Sequence, residues 1–156
     1  MWKFIAAVAV VVGAVLLFRA SKLPIEYLPS YSQGAREGSV RVGGQCLRDK
    51  CLTIYVAPWC RACKQMHGTI VGMREQLEGE GVGVQLVLGM DKPPALIEYA
   101  NKFNQPVLLD DQGAFKKKAG IKAVPYFVVT NRKGEIVQDV LGGYNDVAAM
   151  RSKLGI

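Results

Sequence analysis

Eight residues constrain this chain more than any others: Ala57-Pro58-Trp59-Cys60-Arg61-Ala62-Cys63-Lys64. They follow Leu52–Ala57 (LTIYVA), a β-branched and aromatic run bounded by Pro58, which reads as a buried strand. After them, Met66, Ile70, Met73 and Leu77 recur at helical spacing within Cys60–Glu80, and Gly79 and Gly81 stop the helix. The cysteine pair therefore stands where a strand ends and a helix begins. A cysteine at a helix amino terminus faces unpaired backbone N–H groups and the positive end of the helix dipole. Both favour the thiolate, and Arg61 adds a positive charge beside it. Cys63 lies one helical turn on, within reach of Cys60. This arrangement supports thiol–disulfide exchange, with Cys60 as the attacking sulfur and Cys63 as the resolving one.

The rest of the 156-residue chain leaves room for one domain and a short extra segment. Half of the residues are hydrophobic and 21% are charged, which excludes disorder over the whole length. Four cysteines, at 46, 51, 60 and 63, are too few for a disulfide-dense scaffold. The net charge of +7 fits nucleic acid, acidic partners or an anionic membrane surface. The Lys116-Lys117-Lys118 run has no RNA-binding aromatic motif beside it, so it reads as a solvated helix face and no nucleic-acid partner is expected.

Phe4 to Phe18 (FIAAVAVVVGAVLLF) carries no charge and no polar face. With Met1 to Lys3 it just reaches the roughly 17 residues a membrane span needs. The expectation is a transmembrane anchor over residues 1–20. A cleaved signal peptide is the competing reading, although the exit Leu-Leu-Phe-Arg-Ala-Ser lacks an A-x-A-like cut site. Lys3 on one side and Arg19 and Lys22 on the other leave the orientation undetermined by charge. Residues 21–44 hold Pro24, Pro29 and four glycines without a sustained apolar period. They are expected to be a linker, with at most a short strand at Ser39–Val42.

Residues 45–156 read as one α/β domain. After the first strand and helix come a strand at Val82–Leu88, a helix at Pro93–Phe103 and a short apolar run at Val107–Leu109 that adds a strand. A lysine-rich helix at Asp111–Ala119 follows, then strands Val124–Thr130 and Glu135–Leu141 joined by Asn131-Arg132-Lys133-Gly134. Asn145 or Asp146 caps a last helix to about Leu154. A parallel front half followed by an antiparallel hairpin makes a mixed central sheet flanked by helices.

Ala-Pro-Trp-Cys-x-x-Cys-Lys at 57–64, Ala-Val-Pro at 123–125 before a strand, the Asn131–Glu135 hairpin and Gly142/Gly143 together resemble the thioredoxin superfamily over about Gln45 to Ile156. The resemblance implies the thioredoxin-like fold. It also implies that Pro125 is cis and packs against the disulfide, and that Val124 offers backbone hydrogen bonds to substrate. Trp59 and Arg61 complete the expected substrate-binding set. With the apolar amino terminus, Pro106-Val-Leu-Leu-Asp-Asp-Gln-Gly113 is similar to membrane-anchored, extracytoplasmic thioredoxin-like reductases. The expectation is thus an inner-membrane, single-pass protein with its catalytic domain on the periplasmic side. It would exchange disulfides with envelope proteins, more as reductant than oxidant, and draw on a membrane electron donor. No cofactor and no metal are expected.

The chain also departs from the family. The buried acid found six residues before the first active-site cysteine is replaced by Ile54, and Arg61-Ala62 stands where thioredoxins carry Gly-Pro. Cys46 and Cys51 fall outside the family pattern. A local disulfide closing a small loop is expected for them, with a second redox pair or free thiols as the alternatives. Joined with Cys60 and Cys63 they match the count of a zinc site, but zinc ribbons show two tight pairs and here a strand separates the pairs. A thioredoxin-like module that holds metal or a partner without turnover is the alternative function. His67 is two helical turns from Cys60, roughly 10 Å along the axis, too far to act as its base.

Overall fold

The computed structural model describes residues 20–156. The expected anchor at residues 1–20 therefore lies, but for Ala20, outside the described residues. Among those described, no helix is long and apolar enough to cross a membrane.

The strands are β1 (Glu26–Ser32), β2 (Ala35–Val42), β3 (Lys50–Val56), β4 (Gly83–Gly89), β5 (Val107–Asp110), β6 (Tyr126–Asn131) and β7 (Ile136–Leu141). The helices are α1 (Arg61–Gln65), α2 (His67–Gly79), α3 (Pro93–Ala100), α4 (Ala114–Ala119) and α5 (Val147–Leu154). The strands form one mixed sheet in the order β2-β1-β5-β4-β3-β6-β7. β3, β4 and β5 run parallel, while β6 and β7 are antiparallel additions on one side and β1 and β2 on the other.

β3 sits inside the sheet, and Leu52 through Val56 are all buried. Alternation along the strand sorts these side chains between two cores. Leu52, Ile54 and Val56 face the larger cluster, which holds Cys60, Cys63, Ile70, Met73, Leu77, Met150 and Leu154. Tyr55 faces the smaller cluster with Leu28, Val42, Phe115 and Val128. The first cluster fixes α1, α2, α3 and α5 on one face, and the second seats α4 and the β1–β2 hairpin.

The linker expected at residues 21–44 is not a linker. Its residues pair as a hairpin from Glu26↔Val42 to Ser32↔Ala35, and β1 joins β5 through Ser30↔Leu108 and Tyr31↔Val107. Leu23, Leu28 and Val42 are core residues. The apolar residues are spaced irregularly because the register shifts between Ser30 and Tyr31, which breaks the period of two. The domain therefore begins near Ser21 rather than Gln45.

The single helix expected over Cys60–Glu80 is broken at Met66, whose φ of −86° and ψ of 4° leave the helical region between α1 and α2. The lysine-rich helix starts later than expected, at Ala114, because the Asp110 carboxylate accepts from the backbone N–H of Phe115 (3.1 Å) and Lys116 (2.9 Å). The last helix is capped by Asp146, whose carboxylate accepts from Ala149 N–H at 2.7 Å.

Candidate active site

The end of β3 delivers the cysteine pair. Val56 and Ala57 are fully buried, the chain turns through Pro58 and Trp59, and Cys60 is the N-cap of α1. Cys60 N–H donates to the Ala57 carbonyl at 3.2 Å, which closes that turn. Cys60 and Cys63 are joined in a disulfide with their Cα atoms 5.2 Å apart. The backbone N–H of Cys63 donates to Cys60 Sγ at 3.1 Å. The donor that stabilises a thiolate on Cys60 is therefore in place within the fold. Cys60 keeps 4% of its surface exposed and Cys63 none. Both are buried, and Cys60 alone of the two keeps any exposed surface.

Around the pair, Trp59 is 56% exposed and its indole N–H donates to the Met90 carbonyl at 2.8 Å, tying the turn to the β4–α3 loop. Arg61 is exposed on the first turn of α1. The Val124–Pro125 peptide bond is cis, and Pro125 is buried. Val124 is half-buried and packs against the cluster that holds Cys60 and Cys63. The Pro125 carbonyl accepts from Gly142 N–H at 2.8 Å, which links this loop to the end of β7. Gly143 comes next and abuts Met66. A Cβ there would lie 2.6 Å from Met66 Cε, so a larger residue would require the Met66 side chain to shift.

Ile54 is fully buried among apolar neighbours, so no acid lies beneath Cys63 at that position. The fold does bury one acid at the same end of the sheet, which the sequence did not reveal. Asp110 accepts from the Tyr55 hydroxyl at 2.8 Å and caps α4. Burial first, and then the Asp110 carboxylate, push the Tyr55 hydroxyl well above its ordinary pKa of 10. This pair belongs to the smaller core on the opposite face of the sheet, so it does not face the cysteines. The sequence signal was the Asp110-Asp111 doublet ahead of a glycine and a helix, which reads as a cap more readily than as a buried partner. His67 stacks on Phe103 at 4.6 Å between ring centroids and takes no part in the pair.

Cys46 and Cys51 form the other disulfide, with Cα atoms 5.9 Å apart, as expected for a local loop. Cys51 pairs with Gly83 at the start of β3, whereas Cys60 follows its end. The strand keeps the two cysteine pairs apart, and the four sulfurs do not converge on one point.

This fold and site define a thioredoxin-like protein with a bonded C-x-x-C pair at a helix start. A family model described as a thioredoxin-like domain matches residues 47–155, and the chain belongs to that family. Solved structures agree on the fold. A candidate thiol:disulfide interchange protein, DsbE, from Chlorobium tepidum is similar with a TM-score of 0.64 at 20% identity, over 81% of this chain and 86% of the other. StoA from Bacillus subtilis gives 0.61 at 21% identity, over 80% and 91%. The exposed lipoprotein thioredoxin of Streptococcus pneumoniae gives 0.65 at 17% identity, over 85% and 98%. No curated protein matches the chain by sequence.

Proposed function

We propose that this protein is a thiol–disulfide oxidoreductase that exchanges disulfides with other proteins through Cys60 and Cys63. The observation that carries the reading is the placement of Cys60. It is the helix N-cap, it accepts an N–H bond on its sulfur, and it is the one residue of the pair that keeps any exposed surface. In the reduced protein the Cys60 thiolate attacks one sulfur of a partner disulfide, and the partner's other sulfur leaves as a thiolate. The Cys63 thiolate then attacks Cys60, breaks the mixed disulfide and releases the partner's second thiolate. The partner ends as a dithiol and this protein as the Cys60–Cys63 disulfide. Trp59, Arg61, Val124 and Pro125 form the rim on which the partner segment lies.

The working direction is reduction. A single C-x-x-C site among the described residues suits reduction better than isomerisation, and the likeness to an exposed lipoprotein thioredoxin supports work on proteins outside the cytoplasm. The apolar segment at residues 4–18 anchors the chain in the membrane, and a membrane donor restores the dithiol. Trapping tests the site. Cys63→Ser accumulates mixed disulfides with partners and Cys60→Ser does not; equal trapping by both variants removes the assignment. A redox titration tests the direction. A reductant sits near the thioredoxin range of about −270 mV, whereas a value near −120 mV marks an oxidant.

A further inference from the structure

We infer that the pole of the domain carrying the Cys46–Cys51 loop rests on an anionic lipid surface, with Leu47 entering the headgroup layer and Cys60 held on the far side. The inference deepens the reading above and rests on its claim that residues 4–18 anchor the chain.

The first support is where the chain joins the fold. The Ser21 carbonyl accepts from Ile136 N–H at 2.8 Å, and Leu23 N–H donates to the Gly134 carbonyl at 3.1 Å. Lys22 bridges Glu135 between them. These residues belong to the β6–β7 turn, at the end of the sheet where Lys50 pairs with Asn131. Cys60 lies beyond the other end of β3. The seven residues of β3 separate the two poles by roughly 20 Å. Because Ser21 is already bonded into the sheet, the slack of a 24-residue tether does not exist. An anchor that ends near Phe18 must bring this pole to the bilayer.

The second support is charge. Lys22, Arg48 and Lys133 are exposed at this pole and have no acidic side-chain partner among the described residues. Arg132 is there too, in an open ion pair with Asp49, and Lys50 donates to the Gly155 carbonyl. Glu135 is engaged by the Asn131 side chain at 2.8 Å. The balance is positive, as a surface facing lipid phosphates requires, and each such cation raises partition to an anionic bilayer about fivefold.

The third support is Leu47. It is 84% exposed, the most exposed large apolar side chain among the described residues. The Cys46–Cys51 disulfide closes the loop around it, and Cys46 N–H donates to the Arg132 carbonyl at 3.1 Å. A small covalent ring thus holds one leucine out among the cations. This is the pattern of an interfacial contact, with an apolar residue set in a basic surround.

The two tryptophans, Trp2 and Trp59, allow a direct test in the full chain. Trp2→Phe leaves Trp59 beside Cys60 as the only tryptophan, excited selectively over the tyrosines. Trp2→Phe/Trp59→Phe/Leu47→Trp moves the fluorophore to the opposite pole. Each is reconstituted into vesicles of phosphatidylcholine, alone or mixed with phosphatidylglycerol, carrying brominated acyl chains as quencher. The probe at position 47 should be quenched about twofold more in the anionic vesicles. That excess should vanish at about 0.5 M salt, where the screening length is a few ångströms, and on adding Arg48→Gln and Lys133→Gln. Trp59 should stay unquenched throughout. Quenching of Trp59, or equal quenching at position 47 in both lipids, overturns the inference. If the chain floats free of pure phosphatidylcholine vesicles, the anchor reading fails separately. Anionic vesicles added from outside would still have to quench position 47, and their failure to do so overturns the lipid-facing surface itself.

Discussion

Asp110 shows how much one side chain organises here. It takes the Tyr55 hydroxyl from β3 and two backbone N–H groups from the start of α4. Removing it strands a buried hydroxyl and uncaps a helix, so Asp110→Ala should lower the unfolding free energy by roughly 2–4 kcal/mol in denaturant titration. Tyr55→Phe removes a single bond to a charged acceptor and should cost about 1–3 kcal/mol. Tyr55 and two further tyrosines set an alkaline limit. Tyr55 is raised by burial and by Asp110, Tyr99 is pushed up to about 12 by burial, and Tyr126 is pushed up to about 12 by burial and by the Asp139 carboxylate. A raised folded pKa means that the folded state holds its proton more tightly. The stabilisation is complete below the unfolded value near 10 and is lost as pH rises through the folded values. Melting temperature should therefore fall steeply above pH 10, and less steeply in Tyr126→Phe. An unchanged slope would remove this account of the tyrosine.

At the scale of elements, the β1–β2 hairpin is the decisive addition. Tight glycine contacts close the base of the hairpin and hold it to the β6–β7 turn. Gly43 has a φ of +73°, and a Cβ there would strike the Pro24 carbonyl. Gly134 has a φ of +77°, and a Cβ would strike the Gly44 carbonyl. Gly43→Ala should cost about 2 kcal/mol or more through left-handed strain and collision. A solvent-exposed tether would tolerate the same change, so a loss under 0.5 kcal/mol in a denaturant midpoint would contradict the packing. The paired elements were the easier ones to read. β3, β6 and β7 carry β-branched runs with turn residues between them, and their positions agree with the expectation to within about two residues. The hairpin could not be read the same way. Glycines, prolines and a register shift hide its period, and most of β2 is exposed and polar.

Across the whole molecule, the two disulfides occupy opposite ends of β3 and should behave independently. The ring closed by Cys46–Cys51 spans few residues, which in the chain-entropy account is worth about 2 kcal/mol. Cys46→Ser/Cys51→Ser should lose about that much stability and leave the Cys60–Cys63 potential where it was. A shift of more than about 30 mV in that couple would mean that the two pairs communicate, as a relay requires. The poles also differ in what they present. One offers the cysteine pair with the exposed Trp59 and Arg61, and the other offers cations around Leu47.

The sequence alone pointed to the family, which the family model bears out, and to the cysteine pair. Cys60 at a strand-to-helix junction, Cys63 one turn later and Val124-Pro125 before a strand are local patterns, written in spacing and in residue type. It made a local Cys46–Cys51 disulfide the first expectation among several, and the structure shows that bond. Only the tertiary structure decided that residues 21–44 are part of the domain, since their partners Leu108 and Gly134 are remote in the chain. It also decided that the buried acid at the active end of the sheet is Asp110, which faces away from the cysteines. Which face a side chain takes follows from strand alternation, but what lies on that face depends on which strands become neighbours. That is set by the burial of two cores against one sheet, and no local pattern encodes it.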